Sequence, residues 1–233
     1  MKYKNIVEGI FIERPNRFVA KVEIQGEVET VHVKNTGRCK ELLKPNTTVF
    51  LEDFQSNMRK RKLRYSLISV IKKGFIINMD SQAPNKVVDE GLKSNAIKLS
   101  GMDELVLIRR EKQFKKSRFD FYIEDCKGEK AFIEVKGVTL ENDGAVLFPD
   151  APTERGLRHV KELEQVIEEG MRAYIIFVIQ MKDVKYFSPN YEAQEAFGEA
   201  LKDAEKKGVE IYAYDCRVSE DELVLNRQVE VRL

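Results

Sequence analysis

Along the first eighty positions apolar residues come in short runs rich in Val, Ile and Phe, broken at regular intervals. Residues 9–14, 17–24, 27–33, 48–52 and 65–72 each have the length and composition of a β-strand. Arg14-Pro15-Asn16, Gln25-Gly26 and Lys44-Pro45-Asn46 supply the turns between most of them. Five such strands in so short a stretch predict a small antiparallel barrel of the OB type.

The pattern changes after Pro84. Residues 85–97 place Val87, Val88, Leu92 and Ala96 near one helical face, and strand-like runs follow at 105–110, 118–124 and 131–136. Thr153 is placed to cap a helix carrying Leu157, Val160, Leu163, Val166 and Ile167, which Gly170 closes. The apolar run 173–179 predicts a buried strand. Pro189 and Asn190 open a second long helix over 191–207, ended by Gly208, and 209–214 supplies another strand. Strands alternating with helices predict a mixed sheet with crossover helices. The fold class is therefore α/β overall: an OB-type barrel over 1–82, then an α/β domain with a mixed sheet over 83–233.

Composition narrows the function classes. The 233 residues are 42% hydrophobic, enough for two small cores. Forty basic and 39 acidic residues leave a net charge of +1, so a charged partner must be recognised by local clusters. Cys39, Cys126 and Cys216 show neither a disulfide framework nor zinc-ligand spacing, and are expected to be reduced thiols. The first residues are charged throughout, and no run approaches the roughly 18 apolar residues of a membrane span. A soluble, cytoplasmic protein without a membrane partner is the expectation.

The chemistry concentrates in residues 117–137. A three-residue loop, Cys126-Lys127-Gly128, with Gly128 in the left-handed position, pairs Asp125 with Glu129. Counting outward sets Asp120 opposite Glu134. Alternation then gives Phe119, Phe121, Ile123, Ala131, Ile133 and Val135 to one face, and Asp120, Glu134 and Lys136 to the other. Two carboxylates side by side repel unless a proton or a divalent cation lies between them. Mg2+, or Mn2+ in its place, suits such a site, because it keeps several waters and takes one or two carboxylates plus phosphate oxygens. The Val135 carbonyl is a further ligand candidate. Lys136 is placed to orient water or to steady charge on a phosphate. The competing reading is an ordinary solvated sheet face, with Lys136 as an ion-pair partner.

Asp120 followed by Glu134-Val135-Lys136, after a helix bearing Glu90, resembles the PD-(D/E)XK nuclease superfamily. That resemblance implies magnesium bound by the carboxylate pair and a lysine that assists phosphodiester hydrolysis. A more specific resemblance covers essentially the whole chain. On the stretches His32-Val33-Lys34-Asn35-Thr36-Gly37, Pro84-Asn85-Lys86, Ser117-Arg118-Phe119-Asp120-Phe121, Phe132-Ile133-Glu134-Val135-Lys136 and Phe148-Pro149-Asp150-Ala151-Pro152-Thr153-Glu154-Arg155-Gly156, the chain is similar to the sugar fermentation stimulation protein A family. Membership implies an N-terminal OB-fold, a restriction-endonuclease-like second domain and DNA binding.

Other candidates surround this centre. Glu90 is either a further acid near the metal or an exposed helix glutamate. Arg155 and His159 share a helix face and could grip a phosphate, with a plain surface histidine as the alternative. Arg59, Arg61 and Arg64 form one basic run, and Arg110, Lys115, Lys116 and Arg118 belong to another leading into the hairpin. Both runs are candidates for holding a nucleic-acid backbone. The expected function is a magnesium-dependent nuclease acting on nucleic acid, foremost DNA. The rival is a non-cleaving DNA-binding regulator of sugar metabolism genes that keeps the nuclease fold for docking.

Overall fold

The structure, a computed structural model, describes residues 1–35, 37–55, 58 and 61–233. Its N-terminal strands are β1 (Ile6–Asn16), β2 (Val19–Ile24), β3 (Glu27–Val33), β4 (Thr48–Asp53), β5 (Tyr65–Lys72) and β6 (Phe75–Asn78). They pair in the order β3-β2-β1-β4-β5-β6, and a β3–β5 contact closes the barrel. That closing pair is parallel, His32 against Ser66 and Val33 against Leu67, so the barrel is mixed rather than wholly antiparallel. The reason is topological: β3 and β5 each lie two antiparallel steps from β1 and therefore point the same way. Phe11, Val22, Val31, Val49, Leu51 and Leu67 fill the interior. β6 has no counterpart among the strands the sequence predicts; it forms because Gly74, at φ +81, makes a tight turn that lets four residues fold back on β5.

The second half comprises α1 (Ala83–Lys93), β7 (Leu105–Phe114), β8 (Ser117–Asp125), β9 (Lys130–Val138), β10 (Leu140–Asn142), β11 (Ala145–Phe148), α2 (Glu154–Glu168), β12 (Arg172–Ile179), β13 (Tyr186–Pro189), α3 (Tyr191–Lys206), β14 (Glu210–Val218), β15 (Leu223–Gln228) and β16 (Glu230–Val231). The main sheet runs β15-β14-β12-β9-β8-β7, parallel at its centre and antiparallel at both edges. A smaller sheet, β10-β11-β13-β16, lies alongside. α1 covers one face of the main sheet through Val87, Val88 and Leu92, which pack with Ile133, Tyr174, Ile176 and Val178. α2 covers the other through Val160, Leu163 and Val166, against Phe132, Ala173, Ile175 and Phe177. β12 is thus buried on both faces, which is why it reads as a continuous apolar run.

α1 starts at Ala83, two residues earlier than the sequence pattern places it, with Pro84 in its first turn where a missing N–H costs nothing. Thr153 caps α2 by accepting the Gly156 N–H at 3.0 Å. The two halves are joined by Gln180 at the end of β12. Its backbone carbonyl accepts from Asn78 N at 2.9 Å, and its side-chain amide donates to Asn78 Oδ1 at 2.8 Å and to the Asp80 carbonyl at 3.1 Å. Gly137, at the end of β9, passes so close to this junction that a Cβ there would lie 2.7 Å from Gln180 Oε1 and from Pro84 Cγ. Barrel, α1, β9 and β12 therefore converge one residue beyond Lys136. Cys39 and Cys216 are buried, Cys126 is exposed, and all three are free thiols. Among the described residues no helix is long and apolar enough to cross a membrane.

Candidate active site

The β8–β9 hairpin turns on Cys126-Lys127-Gly128. Gly128 has φ +87, its N–H donates to the Asp125 carbonyl at 3.1 Å, and Asp125 N donates to the Glu129 carbonyl at 3.1 Å. The Asp125 carboxylate locks the turn by accepting the N–H groups of Lys127 and Glu129, each at 2.9 Å. Ile123 then pairs with Ala131 and Phe121 with Ile133. One step further, where Asp120 would face Glu134, the ladder stops. There the Asp120 carboxylate accepts the Val135 N–H at 2.8 Å, in place of a backbone partner.

That substitution corrects the expected alternation. β7 pairs with β8 at Arg110 with Phe121 and at Lys112 with Phe119, but Glu111, at φ +55, and Asp120 between them are not paired. The pleat breaks at this point. Phe121 and Ile123 pack beneath α1, whereas Phe119 lies with Phe132 and Phe114 on the α2 side, its ring edge-on to His159. Both faces of the hairpin are core, and the polar groups form a buried cluster at the strand end, reached by Asn85 from α1 and by His159 from α2.

Glu134 is only 4% exposed. Its Oε1 accepts from Lys136 Nζ at 2.6 Å and lies 2.6 Å from His159 Nδ1, while its buried Oε2 has no hydrogen-bond partner among the described residues. Burial alone would push the Glu134 carboxyl upward, but Lys136 and His159 together hold it below the usual range. Asp120 behaves oppositely. Burial and then the neighbouring Glu134 charge push it up to about 6, against the opposing pull of the Val135 N–H and of Asn85, whose side-chain amide donates to Oδ1 at 2.7 Å. A buried acid oxygen without a donor, next to a second acid held at an elevated pKa, is a donor set suited to a hard divalent cation. Among the described residues no three His, Cys, Asp or Glu side chains converge as a metal-holding group. Any cation here would rest on Asp120 and Glu134, with backbone oxygen and water completing its shell.

The chain's relatives can be placed against this geometry. Residues 82–222 match the family model for the sugar fermentation stimulation protein RE domain, and residues 12–79 match the SfsA N-terminal OB domain. The chain belongs to the sugar fermentation stimulation protein family. It is 57% identical over 233 residues to the sugar fermentation stimulation protein homolog of Ruminiclostridium cellulolyticum, covering all of both chains. The homolog from Clostridium beijerinckii is 56% identical over 234 residues, again with full coverage of both. Among solved structures, SfsA of Pyrococcus furiosus in complex with Ca2+ superposes with a TM-score of 0.88 at 30% identity, covering 100% of this chain and 98% of that one. The OB-type barrel followed by a restriction-endonuclease-like α/β domain is the architecture of this SfsA family member.

The remaining candidate residues are dispersed. Glu90 faces away from Asp120 and binds the Met1 ammonium at 2.8 Å, because five residues along α1 separate it from Asn85, the residue that does reach Asp120. Glu90→Gln is expected to leave any nucleic-acid cleavage unchanged and to move stability by no more than about 0.5 kcal/mol in a denaturant titration, as befits an exposed pair. His159 is 2% exposed and faces Glu134 rather than solvent, while Arg155, one turn earlier on α2, stays exposed. Arg61 donates to Ser66 Oγ and lies over the Phe54 ring, and Arg64 makes a two-point bond to Asp53. Arg59 lies outside the described residues. Lys115 pairs with Glu169 and Arg118 with Glu111, while Arg110 and Lys116 are exposed.

Sequence reasoning missed Asn85, although it sits in the Pro84-Asn85-Lys86 stretch directly behind the helix start. It also missed that His159 is the second partner of Glu134. Groups that hold a ligating side chain in place typically contribute 10- to 100-fold to metal affinity or activity. Should Asp120 and Glu134 hold Mg2+, His159→Ala is expected to weaken that binding, measured by titration calorimetry, by about 10- to 100-fold. An unchanged affinity would show that the Glu134 contact does not position the ligand.

Proposed function

We propose that this protein is a divalent-metal-dependent nuclease that hydrolyses phosphodiester bonds in nucleic acid. The observation that carries the reading is Glu134: a buried carboxylate with one oxygen committed to Lys136 and His159 and the other without a partner, beside Asp120. Asp120 and Glu134 would hold Mg2+ or Mn2+, with the Val135 carbonyl as a further oxygen. A bound divalent ion supplies a water of lowered pKa and offsets the negative charge of the phosphodiester. The protein's own groups do the rest. Lys136 Nζ, fixed by Glu134, donates to the attacking water or to a phosphate oxygen as charge builds there. Asn85 and the Val135 N–H fix Asp120, and His159 fixes Glu134, so both acids are oriented before substrate arrives. The Ca2+ held by the Pyrococcus furiosus relative supports a hard, oxygen-seeking cation for this family member too.

The test incubates pure protein with labelled single- and double-stranded DNA and RNA, in Mg2+, in Mn2+ and in chelator. Cleavage is expected only with metal and is expected to vanish in Asp120→Ala. Salt-sensitive binding without cleavage of any substrate would sink the nuclease and leave a DNA-binding regulator.

A further inference from the structure

Two sequence stretches, one in each domain and neither part of the Asp120–Glu134 centre, are brought together by the fold. Asn35 and residues 37–40 of the barrel and the segment Phe148 to Thr153 together line one cleft of about 770 Å3. Their approach is close enough that a Cβ on Gly37 would lie 2.9 Å from Asp150 Oδ2. The floor is the chain from Gly137 to Leu140, so the cleft begins one residue beyond Lys136.

Its charge is one-sided. Arg14, Arg17, Arg38 and Lys40 line the barrel wall, and Asp150 is the acid facing them. Arg14 does not act as a free cation. Its guanidinium donates to the backbone carbonyls of Arg17, Asn35, Gly37 and Arg38 at 2.5–2.8 Å, tying two loops into one wall. The wall so built presents Arg17, Arg38 and Lys40 exposed. Phe18, directly after Arg17, leaves 56% of its surface in solvent, although it is a large apolar ring. Three exposed cations lining one cleft, with an exposed aromatic next in sequence to Arg17 at its rim, are the kinds of group by which OB-type barrels hold single strands: phosphate contacts from the cations and base stacking on the ring.

We propose that this interdomain cleft binds single-stranded nucleic acid, with Arg17, Arg38 and Lys40 contacting phosphates and Phe18 stacking on a base. The proposal rests on the nucleic-acid reading of the neighbouring site and gives it a substrate class. It also relocates the backbone contacts. Arg61 and Arg64 bond to barrel partners, whereas Arg14 braces the backbone that carries Arg17 and Arg38.

The test measures fluorescence anisotropy of a fluorescein-labelled single-stranded oligodeoxynucleotide in chelator across a salt series, so that binding is read without cleavage. A blunt duplex of the same sequence is the second probe. The variant Arg17→Gln, Arg38→Gln, Lys40→Gln is expected to bind the strand at least about tenfold more weakly, with a salt slope shallower by about 2, given roughly 0.7 per single-strand phosphate contact. Phe18→Ala is expected to weaken binding several-fold with the slope unchanged. Lys161→Gln, Lys206→Gln, Lys207→Gln removes the same net charge from a surface of mixed charge on α2 and the end of α3, and is expected to bind as the parent does. An unaltered slope in the cleft variant, an equal loss in the α2–α3 variant, or tighter binding of the duplex would overturn the proposal. Since the binding assay contains no metal, absence of cleavage in the separate Mg2+ and Mn2+ incubations would end the nuclease reading and leave the cleft standing. Normal strand binding and cleavage by the cleft variant would do the reverse.

Discussion

Lys136→Ala is expected to lower metal-dependent cleavage by about 10²- to 10⁴-fold, the range typical of losing a positioned group that handles a proton or charge in the transition state. The size follows from where the ammonium sits. It is one of two cationic or hydrogen-bonding partners on a carboxylate that is almost wholly buried, and it reaches Glu134 at 2.6 Å from a strand rather than a loop. Two outcomes separate chemistry from collapse. Mg2+ should still raise the melting temperature of the variant, because the two acids remain and a ligand bound only to the folded state stabilises it. The far-ultraviolet spectrum should also match the parent at assay temperature, since His159 still partners Glu134. If the variant cuts as fast as the parent while folded, Lys136 is an ion-pair residue and the nuclease assignment loses its central group.

How much of this was legible in the chain depends on the range of the interaction that fixes each feature. The hairpin turn and its register as far as Phe121 and Ile133 were legible, because they are set by local turn chemistry: Gly128 tolerates a positive φ, and the pairing on either side follows. The apolar run of β12 and the Thr153 cap were legible for the same reason. The pleat break at Asp120 was not. It exists because a side chain takes a hydrogen bond that the ladder would have made, and nothing in the spacing of Phe119 and Phe121 announces it. Glu90 and Asn85 show the limit more sharply. Both lie on α1, and a carboxylate is the more obvious metal-site candidate, but which of them meets Asp120 is decided by how α1 packs across the sheet. The short strands β10, β11, β13 and β16 have two to four residues each, too few to carry a periodic signal. The basic runs were legible only as charges: spacing identifies cations, but only tertiary structure reveals that Arg64 is paired with Asp53 while Arg110 and Lys116 stand exposed.

The precision of the site in turn depends on residues with no chemistry of their own, and Phe177 is the clearest of them. It sits beside Lys136 across the parallel β9–β12 pair, on the strand bonded directly to the one that carries Glu134. Its ring is fully buried, stacks on Phe187 with centroids 4.0 Å apart and meets Phe148 at 5.6 Å, at the head of the segment that forms one wall of the cleft. Removing it opens a void between two sheets and α2, where neighbouring aromatics are too rigid to collapse inward. Phe177→Ala is expected to cost about 3–5 kcal/mol in a denaturant titration at constant m-value. At about 2–4 °C per kcal/mol for a chain of this size, that is a fall of roughly 10 °C in Tm. Phe177→Leu, which refills most of the volume, should lose far less. The two variants distinguish a packing role from mere hydrophobicity, for both remain apolar and differ only in how completely they fill the space. A cost below about 1 kcal/mol for the alanine variant would mean that the β9–β12 core is not packed as described, and the placement of Lys136 beside it would fall with that packing.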